Sequence, residues 1–181
     1  YSAANGLTEL FVKETMDEDK KITRNYINDK GQTILVRKYA VNGTTILTQT
    51  YYVYDDMDKL RFTIQPEGME KITIIPQTLN NTIKDYCFEY NYDSRGRLIS
   101  KKIPGGGRTE LAYDRWDRPA ISQDANQRAK SPQEFTYTKY DMQNRPIMTG
   151  TFTATNRTLT IDAVRTELLN PALGNRFESR N

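Results

Sequence analysis

Twenty-three carboxylates, one thiol and no imidazole bound the chemistry this 181-residue chain can do. Without His there is no triad base, no zinc-type ligand set and no proton shuttle near neutral pH. The carboxylates cluster at Asp17-Glu18-Asp19 and at Asp55, Asp56 and Asp58. A glycosidase needs two carboxyls about 5–9 Å apart across a cleft, one of them with a raised pKa. These clusters lie in turn-like sequence, where nothing would raise a pKa. Calcium needs about 6–8 oxygens around the ion, and Asp55-Asp56-Met57-Asp58 has neither the spacing nor the distal Glu of an EF-hand loop. The acids read as turn caps, with no catalytic residue, metal or cofactor expected.

Cys87 lies in the apolar run Tyr86-Cys87-Phe88 and reads as a buried structural thiol. Pro104-Gly105-Gly106-Gly107-Arg108 resembles a phosphate cradle only superficially. That role needs a helix to follow, and Glu110-Leu111-Ala112-Tyr113 reads as another strand. Trp116 falls in a predicted turn, and with Tyr51 on an outer face it is the candidate contact for carbohydrate or a partner protein. The 26 basic residues are dispersed and give a net charge of only +3, so a nucleic-acid footprint is missing. No apolar run is long enough to cross a membrane as a helix.

The elements that must hold these residues are written as repeats. Tyr54-Asp55-Asp56-Met57-Asp58-Lys59-Leu60, Tyr92-Asp93-Ser94-Arg95-Gly96-Arg97-Leu98, Tyr113-Asp114-Arg115-Trp116-Asp117-Arg118-Pro119 and Tyr140-Asp141-Met142-Gln143-Asn144-Arg145-Pro146 share one pattern. It is Tyr-Asp-x-x-(Gly/Asn/Asp)-(Arg/Lys)-(Leu/Pro). The fifth place holds the residues that best tolerate a left-handed backbone, so each copy is a hairpin turn with one position at φ > 0. Asn28-Asp29-Lys30-Gly31-Gln32 and Asp17-Glu18-Asp19-Lys20-Lys21 are degenerate copies, and Asn42-Gly43 is a further hairpin signal.

A mean hydropathy of −0.77 is polar enough to suggest disorder. The 12 Tyr argue otherwise, because they fall at alternating, strand-like positions. The expectation is a mainly β antiparallel meander with a Tyr-rich core. In each motif the Tyr should face the core and the Asp should face out. Tyr52 and Tyr54 should then oppose Phe62 and Leu60, with Tyr51 and Val53 turned to the outer face. A short helix is expected near 77–84 and another at about 160–170, where Ile161, Val164 and Leu168 share a face and Thr160 caps. Residues 1–155 are expected to form the repeat region and 156–181 the helix and tail, within the same structural unit. Opening on Tyr1-Ser2-Ala3 without Met, the chain reads as a piece of something longer.

With these four copies and their flanks, including Tyr86 through Gly105 and Phe135 through Asp141, the sequence resembles the YD-repeat (RHS-repeat) family of large bacterial surface and secreted proteins. The resemblance covers roughly residues 10 to 152. It implies that Tyr54, Asp55, Tyr92, Asp93, Gly96, Arg97, Tyr113, Asp114, Arg118, Tyr140, Asp141 and Arg145 are structural repeat residues. It also implies long antiparallel sheets that spiral into a hollow shell, which in polymorphic toxins encloses a C-terminal toxin domain. The Asp-Pro-x-Gly signature of the family's self-cleaving core segment is not found in this sequence, so that activity is not carried over. The implied role is a non-catalytic wall segment of a secreted or cell-surface protein. Its partners are then the rest of the parent chain and, as the alternative, a glycan.

Overall fold

The computed structural model describes residues 10–74, 85–153 and 159–169. Among these residues the chain is mainly β. Eleven antiparallel strands follow one another in the sheet in sequence order, as expected where strands that are neighbours in sequence also pair. The chain divides into two compact units, Tyr1–Glu89 and Tyr90–Asn181. The C-terminal helix packs within the second of these units.

The first unit holds β1 (Phe11–Met16), β2 (Ile22–Ile27), β3 (Thr33–Tyr39), β4 (Ile46–Tyr54) and β5 (Leu60–Ile64). Helix α1 (Pro66–Ile74) and the start of β6 (Cys87–Tyr92) complete it. α1 opens with Pro66 and carries Glu67 in its first turn, a pre-set φ and a charge that suits the helix N-terminus. Met69 packs on buried Ile64 and Cys87, together with Tyr51 and Phe62. Cys87 is fully buried and forms no disulfide among the described residues.

One expected pairing is corrected here. Tyr51 pairs with Ile64, Tyr52 with Thr63 and Val53 with Phe62, and a bulge shifts the register before Tyr54 pairs with Leu60. The bulge moves Tyr52 away from Phe62, and Tyr51 is half-buried against Ile64 and Cys87. The helix expected near 77–84 lies outside the described residues.

Much of the first unit is held by Tyr and Arg rather than by aliphatic packing. The Tyr26 and Tyr39 hydroxyls are 3.1 Å apart. The Arg24 guanidinium lies 4.5 Å from the Tyr39 ring centre, and that of Arg37 lies 5.6 Å from Tyr26. Rings and guanidinium planes bury apolar area while keeping polar edges satisfied, so a sequence this polar can still fold.

The second unit continues with β7 (Leu98–Lys102), β8 (Arg108–Tyr113), β9 (Pro119–Gln123), helix α2 (Ala125–Ala129), β10 (Glu134–Tyr140), β11 (Pro146–Thr153) and helix α3 (Ile161–Leu169). Its core joins Ala112, Ala120, Ile121 and Phe135 from the sheet with Leu159, Ile161, Val164 and Leu168. The C-terminal helix forms at the expected place. The Thr160 hydroxyl accepts from the Ala163 N–H at 3.2 Å, which caps it. Arg165 anchors the same helix by donating to the Ile99 and Leu111 carbonyls at 2.8 and 3.0 Å.

Candidate functional site

Every Tyr-Asp turn has one geometry. In the turn from Asp93 to Arg97, the Gly96 N–H donates to the Asp93 carbonyl and the Asp93 N–H donates to the Arg97 carbonyl. The same pair of bonds recurs at 55–59, 114–118 and 141–145, and in the degenerate copies at 17–21 and 28–32. The position expected to need φ > 0 has it in all of them: Lys20, Gly31, Asp58, Gly96, Asp117 and Asn144 lie between 62° and 77°. Gly43 does the same after Asn42. Lys20 is the surprise, since Lys has no local hydrogen bond to ease a left-handed backbone.

In three of the turns the acid accepts hydrogen bonds at both oxygens. Oδ1 of Asp93 accepts from the Arg95 and Arg97 N–H groups at 2.9 and 3.0 Å, while Oδ2 accepts from Arg97 Nε at 2.7 Å. Asp114 and Asp141 repeat this with Trp116, Arg118, Gln143 and Arg145 at 2.6–3.0 Å. Burial pushes Asp93 up, but the N–H groups and guanidinium of its own turn outweigh it and hold the carboxyl below the ordinary range. The Arg145 N–H and guanidinium lower Asp141 against burial in the same way.

The expected facing is reversed in the third copy, where Asp114 is only 4% exposed and Tyr113 is half-buried. In the other copies Tyr and Asp are both half-buried, and three of the Tyr rings bond the preceding turn. The Tyr113 hydroxyl donates to the Leu98 carbonyl at 2.8 Å, Tyr140 to Pro119 at 3.0 Å and Tyr54 to Thr33 at 3.2 Å. Each acceptor holds the seventh place of the preceding copy. Burial raises all three phenols, which keeps them protonated donors.

The sixth residue completes this rung in three of the copies. Arg97 stacks on the Tyr113 ring at 4.6 Å and reaches the Asp117 carboxylate, while Arg118 stacks on Tyr140 at 4.9 Å and reaches Asn144 at 3.1 Å. Gln32 reaches Asp58 at 3.2 Å in the same manner, with Lys30 beside it at 2.6 Å. The fifth residue thus does two jobs: it accepts the left-handed backbone and it receives the preceding copy's donor. Sequence reasoning found only the first. The signal for the second was available, because Asp or Asn rather than Gly fills that place in each copy that receives such a donor.

The acid clusters singled out for chemistry are absorbed by this ladder. Asp55 caps the Met57 and Lys59 N–H groups, Asp17 caps Lys21, and Asp58 is held low by Lys30. A cleft of about 190 Å³ in the second unit is lined by Asp93, Arg95, Arg97, Tyr113, Arg165 and Leu169, among others. It presents a single acid. Among the described residues no group of three or more His, Cys, Asp and Glu could hold a metal ion. The Gly105 loop links β7 to β8 as a hairpin, so no helix follows it to cradle phosphate. Trp116 is 46% exposed, and the Arg115 and Arg118 guanidiniums lie 3.9 and 4.8 Å from its ring centre. It shares no unit with Tyr51.

The RHS Repeat family matches residues 92–129, which run from the Tyr92 turn through α2. No curated protein matches the chain. Solved structures do. TcdB2-TccC3-Cdc42 is similar with a TM-score of 0.59 and 16% identity, over 82% of this chain and 7% of that one. TcdB2-TccC3 is similar with a TM-score of 0.54 and 18% identity, over 74% of this chain and 6% of that one. The pore form of the Photorhabdus luminescens Tc holotoxin, with a substituted TccC3, is similar with a TM-score of 0.54 and 17% identity, over 80% and 6%. At such identity the likeness is one of fold, and the chain spans less than a tenth of the chains it matches. Residues 92–129 of this chain are thus similar to the RHS repeat, and its antiparallel sheet is similar in fold to these structures.

Proposed function

We propose that this segment is a non-catalytic stretch of sheet wall in a large exported bacterial protein, and that it helps enclose or present a C-terminal toxin or effector. Its partners are then the neighbouring repeats of the parent chain, in a secreted or cell-surface protein. The observation that carries the reading is the ladder, in which Tyr54, Tyr113 and Tyr140 bond the turn behind and Gln32, Arg97 and Arg118 reach the left-handed Asp or Asn of the turn ahead. A general acid would need a raised carboxyl pKa, and the resolved aspartate shifts, at Asp58, Asp93 and Asp141, are all downward. Limited proteolysis of the parent protein tests the role. Asp93→Ala with Asp114→Ala should open the wall and expose the downstream domain to trypsin, at least about tenfold faster than in the unchanged protein; equal rates reject the enclosure. Glycan contact is the second reading, motivated by the exposure of Trp116. Glycan-array binding that survives Trp116→Ala removes it.

A further inference from the structure

The rung that joins successive turns has two halves. The donor half is the sixth residue, whose side chain stacks on the next Tyr and reaches the next left-handed Asp or Asn. The acceptor half is that Tyr and that Asp or Asn, with the Tyr hydroxyl donating to the seventh-place carbonyl behind it. The turn at 141–145 supplies its acceptor half to Arg118 through Tyr140 and Asn144. Its own donor half is unused. Arg145 bonds Asp141 at 2.6 Å and Gln143 at 3.4 Å, both in its own turn, and reaches no other turn among the described residues. Its side chain is 73% exposed, against 17% and 11% for Arg97 and Arg118. Beside it, β11 is the last strand of the described sheet and exposes Ile147 and Met148. Pro146 occupies the seventh place, as Pro119 does where it accepts from Tyr140.

We infer that the edge of β11, the last strand of the sheet among the described residues, receives one further β-hairpin of the Tyr-Asp-x-x-(Asp/Asn) type, and that Arg145 selects it. The incoming Tyr stacks on Arg145 and donates to the Pro146 carbonyl, and the incoming left-handed Asp or Asn accepts from the guanidinium. The requirement is chemical. A left-handed Gly offers no acceptor, and a cation there repels Arg145.

A second copy of this chain does not meet it. An antiparallel strand added to β11 must run toward the turn edge, as β10 does, so the β1 strand of another copy would bring its 17–21 turn beside Arg145. That turn places Met16 where the Tyr belongs and Lys20, at φ 62°, where Asp or Asn belongs. The edge therefore rejects its own chain, a selection against self-assembly at an open strand.

The mismatch also supplies the test. Met16 and Lys20 are exposed, and Asn suits a left-handed backbone better than Lys, so Met16→Tyr with Lys20→Asn corrects both faults without touching a core. Sedimentation velocity of the whole chain is the readout, with circular dichroism to verify the fold. Wild type should sediment as a monomer. M16Y/K20N should associate with concentration, at least about tenfold more tightly than wild type, and adding Arg145→Ala should return it to wild-type behaviour. An M16Y/K20N chain no more associated than wild type overturns the inference, as does association that R145A leaves intact. The inference builds on the reading of these turns as wall repeats, yet it fails separately, because proteolysis of the downstream domain reads enclosure and sedimentation reads the edge.

Discussion

Asp114 shows why the motif needs an acid and not merely a turn former. One oxygen takes two backbone N–H groups and the other takes Arg118 Nε at 2.7 Å. Asp114→Ala strands both N–H groups and leaves Arg118, 11% exposed, without its carboxylate. Breaking a buried pair by removing one partner costs about 3–5 kcal/mol, and a loss of that order is expected from urea unfolding. Asp114→Asn keeps the backbone cap and loses only the charge-assisted bond, at about 1–2 kcal/mol. Equal losses from the two variants would show that the cap alone matters. Asp141→Ala should cost less than Asp114→Ala, since Arg145 stays in water. The same carboxylates set the acid limb. Asp93 and Asp141 are depressed in the fold, so the stability they supply is complete above the ordinary Asp value of about 3.9 and drains as pH falls through it toward the folded values. The chain has no His to titrate between pH 5 and 8. Melting temperature should therefore stay level over that range and fall below about pH 4. Asp93→Asn with Asp141→Asn should flatten the fall, and an unchanged slope would assign it to other groups.

At the scale of elements, what was legible was what is encoded within a few residues. The left-handed place of each turn, the hairpin at Asn42-Gly43 and the helix from Ile161 follow from local rules. α1 was missed because its β-branched run at Ile72, Thr73 and Ile74 looks like strand, although Pro66 and Glu67 mark a helix start. α2 was missed although Asp124 and Gln127 write out its capping box. The pairing of Tyr52 with Phe62 failed for another reason: strand alternation was carried through a bulge that shifts it by one residue. Packing of α2 makes a prediction of its own. A Cβ on Gly107 would lie 1.9 Å from Ala125 Cβ, a methyl that cannot rotate away. Gly107→Ala must push α2 off the sheet, and overpacking of this kind costs about 1–3 kcal/mol. Ala125→Gly makes room, at about 1 kcal/mol of helix propensity. In that background Gly107→Ala should be nearly neutral. The same loss in both backgrounds would mean that the contact does not carry the effect.

Across the whole molecule, one turn chemistry serves two units whose interiors differ. The second unit buries eight apolar residues, three of them on α3, beneath the sheet. The first buries Ile64 and Cys87 under α1 and otherwise relies on Tyr and Arg layers, one of which leaves the Arg37 Nε buried without an acceptor. β1 is exposed along its whole length. Rungs between turns pin register along an edge, but exposed ion pairs contribute only about 0–1 kcal/mol each. Resistance to opening should therefore follow the buried apolar area and not the number of rungs. Hydrogen exchange followed by mass spectrometry separates the two. Amides of β8, β9 and β10, beside Ala112, Ile121 and Phe135, should exchange slowest. Those of β2 and β3 should be at least about tenfold faster despite equally regular pairing, and β1 faster still. If β2 and β3 were as slow as β8 and β9, the Tyr–Arg layer would be as good a core as the aliphatic one, and the polar composition of this chain would be no handicap to its stability.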